Sequence, residues 1–584
     1  MATEFTRSST DEVRFFPGGR SAHACLLAIA LVLTAILAAA WYRQPSTISD
    51  VYFRTQDVPV LSAMFVGAIL FSDRCRGPRW EQEVRLSPRL ALAAIVALVG
   101  ISFAGHWLVM FGYDVSRDES MATLAVRQLV QGTLVTPVPA AWQPFGRAML
   151  PVFYTGRIAP ELVWTSGYLP VNSAFRALAG VVFNEAITNP FLYAIGLLAL
   201  WKVARRIWPE RRDAAVISVA LGATSTQLIV TAMTSYAMIG HFALNMVWLN
   251  LFLRDDKRGT VAALIIGSFA MGLHQFHFHL MFAAPFLFWL MLRRQWKRAM
   301  LYVFWYAVMT LVWFKGYPAW LMYQAGPEAI VPPHDASLWA YVKDRVGRLL
   351  DYSPAVYLMN FARFFAWQNV LMIPLIISAW PLIREKARWR DTPLLPLAGV
   401  CLLGLSLMVY QGHGWGYRYL SGAIGCFCLV AGYGWIRLLP EPGPGRAWAM
   451  AKYACAFTIV LVLPVQLAMA RSFVAPYAEL YGAAKNADAD VVLVDVEGGL
   501  YAQDLVQNSP DFGKRPMLMD LALVPADALA RLCSTQRLAR IDISHYRATG
   551  MNSLPVGPDV ERRLQLRRAR LERLGCAPPL VLRG

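Results

Sequence analysis

Apolar runs recur along the chain from residue 22 to residue 470, and clusters of arginine and lysine close about every second one. The runs lie near 22–41, 58–72, 90–110, 181–201, 214–231, 236–253, 260–274, 280–292, 299–314, 366–383, 393–411, 420–437 and 448–470. Several approach the roughly 20 residues that a helix needs to cross a bilayer. The pattern therefore predicts a mainly α protein, a polytopic transmembrane bundle of about 13 spans. The first run is too long, and its downstream flank is wrong, for a cleaved secretory signal, so it reads as a retained helix.

The cations between runs set the topology. Arg7, Arg14 and Arg20 precede the first run, Arg74, Arg76, Arg79, Arg85 and Arg89 follow the second, and Lys202, Arg205, Arg206, Arg211 and Arg212 follow the fourth. Further clusters are Arg254, Lys257 and Arg258, then Arg293, Arg294, Lys297 and Arg298, then Arg384, Lys386, Arg388 and Arg390. Counting helices in order puts all of them on one side, the positive-inside pattern. The N-terminus is then cytoplasmic, and two long loops, 111–180 and 315–365, face outward. The first mixes charges with Trp142, Phe145, Tyr154, Trp164 and Tyr168, which suits helices lying in the membrane interface.

The tail after residue 471 also faces outward. Apolar stretches at 490–496, 516–521 and 538–543 read as strands, with a helix opening at Pro525 and a basic helix over 558–574, so a small C-terminal α/β extramembrane domain is expected. Asp488, Asp490 and Asp495 read as solvated strand ends, and no chemistry is assigned to this domain. The predicted divisions are 1–89 (cytoplasmic tail and two helices), 90–470 (main transmembrane region) and 471–584 (outward domain).

Composition agrees: 57% hydrophobic and 16% charged residues exclude a soluble core. The net charge of +18 sits at helix ends, which argues for membrane topology and against a nucleic-acid partner. Of eight cysteines, Cys25, Cys401, Cys426, Cys428 and Cys455 fall in or beside apolar runs and Cys75 faces the cytoplasm. Cys533 and Cys576 alone lie in the outward tail, where an oxidising compartment permits pairing.

Candidate chemistry starts with Asp118 and Glu119, adjacent carboxylates just after the third run. Such a pair at a membrane face can hold a proton, a metal or a sugar hydroxyl. Ser116-Arg117-Asp118-Glu119 is equally an ordinary capped helix start. The outward turn His274-Gln275-Phe276-His277-Phe278-His279 carries three imidazoles, of which His274 and His277 share a face. Metal binding (with Asp118 or Glu119 as a further ligand), hydrogen bonding to phosphate or substrate, and interfacial packing all stay open for it.

The segment Gly112-Tyr113-Asp114-Val115-Ser116-Arg117-Asp118-Glu119-Ser120-Met121-Ala122, continuing through Ala125 to Gly132, resembles the first outward loop of the C-type (GT-C) glycosyltransferase superfamily, which includes protein O-mannosyltransferases and the lipid A aminoarabinose transferase. Late in the chain, Gly412-His413-Gly414-Trp415-Gly416-Tyr417-Arg418-Tyr419-Leu420 resembles the W-G-x-R-Y turn of bacterial relatives. The resemblance covers roughly residues 90 to 440, and the joint occurrence of both motifs on one membrane face carries it. Two features depart from the pattern. Two extra spans precede the acid pair, and the turn Thr234-Ser235-Tyr236-Ala237-Met238-Ile239-Gly240-His241 lacks the further acid that relatives often have.

The resemblance implies a glycosyltransferase of the inner membrane that takes a sugar from a polyprenyl-phosphate donor at the outer face, with inversion, and passes it to a glycan, lipid or protein acceptor. Asp118 would be the base, Glu119 its orienting or ligand-binding neighbour, and Asp114 a reserve. Arg418 would grip the phosphate, with Arg117, Lys315, His274, His277 and Tyr417 as further binding candidates. A divalent metal is a possible cofactor. Rival readings are a surface-polysaccharide polymerase or ligase that uses a lipid diphosphate, a transporter or flippase for lipid-linked sugars, and an inactive scaffold. Transporters place charged or broken-helix sites near the midplane and show repeated halves, whereas these spans are nearly free of acids.

Overall fold

The computed structural model describes residues 48–74, 87–150, 157–331, 354–386, 389–440, 446–552 and 556–582, with a few isolated positions between 337 and 347. The 22–41 run, Cys25, Cys75 and most of the cations flanking the first two runs lie outside the described residues. Among the described residues, five helices are long and apolar enough to cross a membrane: Arg89–Leu108, Glu185–Ile207, Trp296–Ala325, Arg418–Leu438 and Ala447–Lys485. Shorter apolar helices include Val171–Val182, Met238–Phe252, His277–Leu292, Met372–Arg384 and Leu394–Ser406. The chain is a mainly α, multi-pass membrane protein.

Burial separates two kinds of helix. Every residue from Ile424 to Trp435 is buried at the centre of the bundle. Leu90, Leu92, Val96 and Leu108, by contrast, turn more than half of their surface outward, the signature of a helix whose partner is lipid. Lys202, Arg205, Arg206 and Arg254 gather round one pocket, so cations from two helix ends share one edge of the bundle.

Several predicted runs end differently in the structure. The 181–201 run is two elements, because helix Val171–Val182 stops and Asn184 caps a fresh start by accepting from the Ala186 N–H at 2.8 Å. The first of these elements buries Val171, Asn172, Arg176 and Ala177 and exposes Leu178, Val181, Val182 and Phe183, as an interfacial helix does. The 214–231 run breaks at Thr224, where Ser225 caps the short helix Thr226–Thr231. Helix Trp296–Leu311 continues through a wide π turn, Val312–Gly316, into Tyr317–Ala325. Lys315 therefore stands within a continuous helix and does not open a loop. By the same device the last run extends through Thr458–Val462 to Lys485, so residue 471 lies inside helix Leu463–Lys485.

The central helix packs closely because it carries glycine at its contacts. A Cβ on Gly434 would strike the Leu375 carbonyl of helix Met372–Arg384, and one on Gly425 would strike Met246. Without a hydrophobic driving force between helices in lipid, such close backbone approach supplies the packing energy.

Outside the bundle, β1 (Thr136–Pro137) pairs antiparallel with β2 (Val163–Trp164). Beyond Lys485, β3 (Val491–Val494), β4 (Met517–Asp520) and β5 (Leu538–Ile541) form a parallel sheet in the order β4-β3-β5. All twelve strand residues are buried. Alternation sends Val492, Val494, Leu518 and Ile541 into the main core, while Val491, Leu493, Met517 and Met519 pack with Met121, Leu124, Phe145 and Trp164 of the first outward segment. The sheet is thus wedged between the bundle and that segment. A Cys533–Cys576 disulfide (Cα–Cα 5.6 Å) ties helix Ala526–Thr535 to the end of helix Pro558–Arg573.

Gly434→Val should destabilise the bundle by about 3 kcal/mol through overpacking. Gly482→Ala, which meets nothing within 4 Å, should be neutral or mildly stabilising. Thermal melting of the two variants in the same detergent checks both.

Candidate active site

Helix Arg117–Val130 begins where the apolar run ends: Ser116 adopts the extended conformation of an N-cap and accepts from the Glu119 N–H. The ordinary capped start is therefore real, and it presents Asp118 and Glu119 in the first turn pointing in different directions. Asp118 Oδ2 forms an ion pair with Arg418, and Oδ1 accepts a short hydrogen bond from the Tyr168 hydroxyl. Three distant parts of the chain thereby meet in one buried cluster.

Arg418 is 4% exposed. Its guanidinium lies 4.7 Å from the Tyr236 ring centroid and 5.2 Å from that of Tyr419, stacked between two electron-rich faces. Its Nε makes no hydrogen bond among the described residues, so a donor is left over for an oxyanion. The turn that carries it is tightly held. Gln411 donates to the Gly416 carbonyl (2.8 Å) and accepts from the Arg418 N–H (2.9 Å). Gly414 and Gly416 have positive φ, and a Cβ on Gly414 would collide with Arg418 itself. Only glycine allows the arginine to fold back here.

Burial raises the Asp118 carboxyl, but the Arg418 guanidinium, His274 and the Tyr168 hydrogen bond outweigh it and hold the group below the usual aspartate range. Glu119 behaves oppositely. It is 2% exposed, accepts from Ser235 N–H (2.9 Å) and Val115 N–H (3.2 Å), and is pushed up to about 8 by burial and then by Asp114. Of the adjacent acids, Glu119 is the one held protonated near neutrality, and Asp118 is ionised. Glu119 spends its oxygens on backbone, tying the Thr234–Tyr236 turn to the helix. That turn lacks a carboxylate of its own and borrows one. Asp114 accepts from the Ser235 hydroxyl (3.0 Å).

The other predicted site residues divide. His274 joins the cluster, its ring 4.2 Å from that of Tyr168. His277 stacks on Phe278 (4.7 Å). His279 bridges Asn245 (2.8 Å) and the Tyr306 hydroxyl (3.1 Å) inside the bundle. Among the described residues no three His, Cys, Asp or Glu side chains converge as a metal site, and Glu119, His274 and His277 form no ligand set. Tyr417 directs its hydroxyl to the Val409 carbonyl (2.9 Å), a structural role in the turn. Lys315 lies over Phe314 (5.1 Å) on its helix. Arg117 turns from the Asp118 cluster toward the tail, where it pairs with Asp504 at 3.1 Å.

Sequence reasoning missed Asp504. It is fully buried, pairs with both Arg117 and His413 (3.1 Å), and belongs to the tail to which no chemistry was assigned. No motif marks it. Tyr236 and Tyr419, the two aromatic walls of Arg418, stand inside quoted motifs and were legible only as neighbours of other residues. Tyr168 was noted as an interfacial aromatic, and nothing local signals its bond to Asp118.

No family model matches the chain, and no curated protein does. Solved structures do resemble it. ArnT from Cupriavidus metallidurans bound to undecaprenyl phosphate superposes with a TM-score of 0.53 at 12% identity, over 80% of this chain and 95% of that one. The same protein in the apo state gives 0.48 at 11%, over 79% and 95%. The apo oligosaccharyltransferase of Archaeoglobus fulgidus gives 0.40 at 12%, over 69% and 59%. The first likeness spans nearly the whole of that protein, so the chain shares its membrane fold.

Two measurements probe the electrostatics. Arg418→Gln strands the Asp118 carboxylate and should cost about 3–5 kcal/mol of stability, which Asp118→Asn in the same chain should largely restore. Glu119 binds its proton more tightly folded (about 8) than at its ordinary 4.5, so its contribution is complete below about pH 4.5 and disappears as pH rises through 8. Asp118, shifted down, contributes above the ordinary aspartate range and is lost only in acid. A melting series from pH 5 to 8 should therefore fall with pH in the wild type and be flatter in Glu119→Gln. An unchanged slope would reject the assignment.

Proposed function

We propose that the protein is an inner-membrane glycosyltransferase that moves a sugar from a polyprenyl-phosphate carrier to a hydroxyl on a glycan, lipid or protein acceptor. The observation that carries this reading is the buried Asp118–Arg418 pair with an unused Arg418 Nε: an ionised carboxylate and a phosphate-competent guanidinium in direct contact. Support comes from the fold, whose solved likeness holds undecaprenyl phosphate. Lys202, Arg205, Arg206 and Arg254 mark one edge of the bundle as cytoplasmic. On that topology the Asp118 cluster and the tail lie on the periplasmic side and the N-terminus is cytoplasmic.

The chemistry needs a base for the acceptor and positive charge for the leaving phosphate. Arg418 receives the donor phosphate through its free Nε and, in turning toward it, relaxes its hold on Asp118. The carboxylate, still largely buried, then becomes more basic. As the acceptor oxygen bonds to the anomeric carbon, its proton passes to Asp118. The bond from that carbon to the phosphate oxygen breaks, its electron pair leaving with the phosphate against Arg418. Attack from the face opposite the phosphate inverts the configuration. Tyr168 and His274 hold Asp118 in place, and Tyr236 and Tyr419 confine the guanidinium.

The test is turnover of a radiolabelled polyprenyl-phosphate sugar by protein in nanodiscs. Asp118→Asn should lower kcat by roughly 10²–10⁴-fold, while Arg418→Lys, which keeps charge but loses the planar fork, should mainly raise the donor KM. Full turnover in Asp118→Asn would overturn the reading in favour of chemistry on a lipid diphosphate that does not use this acid.

A further inference from the structure

The tail domain has a cavity of about 320 Å³ that the reading above does not use. It lies where Asp495 and Asp542 follow β3 and β5. In the order β4-β3-β5 the chain leaves β3 toward β4 but leaves β5 in the other direction. The C-terminal ends of β3 and β5 thus flank the point where successive connections diverge, the place where open parallel sheets form a crevice for ligands. Helix Pro558–Arg573 closes it, with Leu571 at the base and Arg568 at the rim.

Three acids line this crevice: Glu561 is exposed at its rim, while Asp495 and Asp542 are already hydrogen-bonded. Asp495 takes two hydrogen bonds from Arg567 (2.8 and 3.2 Å). Asp542 accepts from the Ser544 N–H (3.0 Å), is bonded to His545 (3.1 Å) and accepts from Arg568 (3.2 Å). Arg540, Arg547 and Arg568 line the crevice beside them. Arg540, on β5 and 8% exposed, has its Nε 3.3 Å from Asp542 but without a hydrogen bond. Arg547 stands exposed on the rim with no carboxylate partner among the described residues. An unsatisfied buried donor costs about 1–3 kcal/mol, so the Arg540 Nε is a donor held ready for an acceptor entering the crevice.

We propose that this crevice binds a small oxyanion-bearing molecule, a phosphate or carboxylate group such as a phosphorylated or uronic sugar carries, through Arg540 at its base and Arg547 and Arg568 at its rim. The volume admits a group of that size, at the lower end of ordinary ligand sites. The site is separate from the Asp118 cluster and independent of the transfer reaction.

Full-length protein in nanodiscs, titrated calorimetrically at fixed ionic strength with inorganic phosphate, glucuronate or glucose, tests it. Saturable one-site binding of phosphate or glucuronate, with none for glucose, is expected, and the tighter of the two identifies the anion. Each rim variant, Arg547→Gln and Arg568→Gln, should weaken it about tenfold, the effect of one charge-assisted hydrogen bond. Both are on exposed positions, so folding is not at stake as it would be for Arg540→Gln. No saturable binding of either anion, equal binding of glucose, or isotherms unchanged in both rim variants would overturn the proposal.

Discussion

The buried contact between Asp118 and Arg418 organises the extramembrane end of this protein. Taking a carboxylate and a guanidinium out of water is costly, and each is tolerable only because the other is there. The partners are three hundred residues apart, one in the first turn of helix Arg117–Val130 and the other in a glycine-rich turn leading into the central helix Ile424–Leu438. Joining them therefore fixes how the first outward segment sits on the bundle. Tyr168, Tyr236, Tyr419 and His274 then pack round the pair and limit its access to water.

The turn bearing Arg418 is braced by the first described helical segment together with Arg363. Ser49 donates to the Gln411 carbonyl (3.1 Å), the Tyr52 hydroxyl bonds to His413 (3.0 Å), and Arg363, paired with Asp57 at 3.8 Å, donates to the Gly414 carbonyl (2.5 Å). The helical segment starting at Ile48, well ahead of the acid pair in sequence, is thus part of what holds the guanidinium in place. His413 passes the bracing on to Asp504 of the tail, and Asp504 to Arg117 beside the acid pair. A continuous buried polar path runs from the first described helix to the last domain.

The tail has a second physical role. Its sheet is buried on both faces, one against the bundle and one against the first outward segment, so it cannot swing freely on Lys485. Full burial explains why β3 reads as an unbroken apolar run, VVLV, with no alternation.

The apolar periodicity alone determined that the chain is a helical membrane protein with a small α/β tail, because burial in lipid or in a two-sided sheet leaves a local mark on every turn or strand. Asp118 stood out as one of few carboxylates beside an apolar run, His274 as part of an imidazole-rich outward turn, and Arg418 through the resemblance of its glycine-rich turn. Continuations through Val312–Gly316 and Thr458–Val462 were illegible, because a π turn leaves no compositional trace and the run simply lost hydrophobicity before the helix ended. The roles of Glu119, Arg117, Tyr168 and Asp504 were decided only by tertiary structure. Whether a carboxylate stays ionised, takes up a proton or pairs with an arginine depends on which groups stand within a few ångströms of it, and here those groups come from segments 50 to almost 400 residues away.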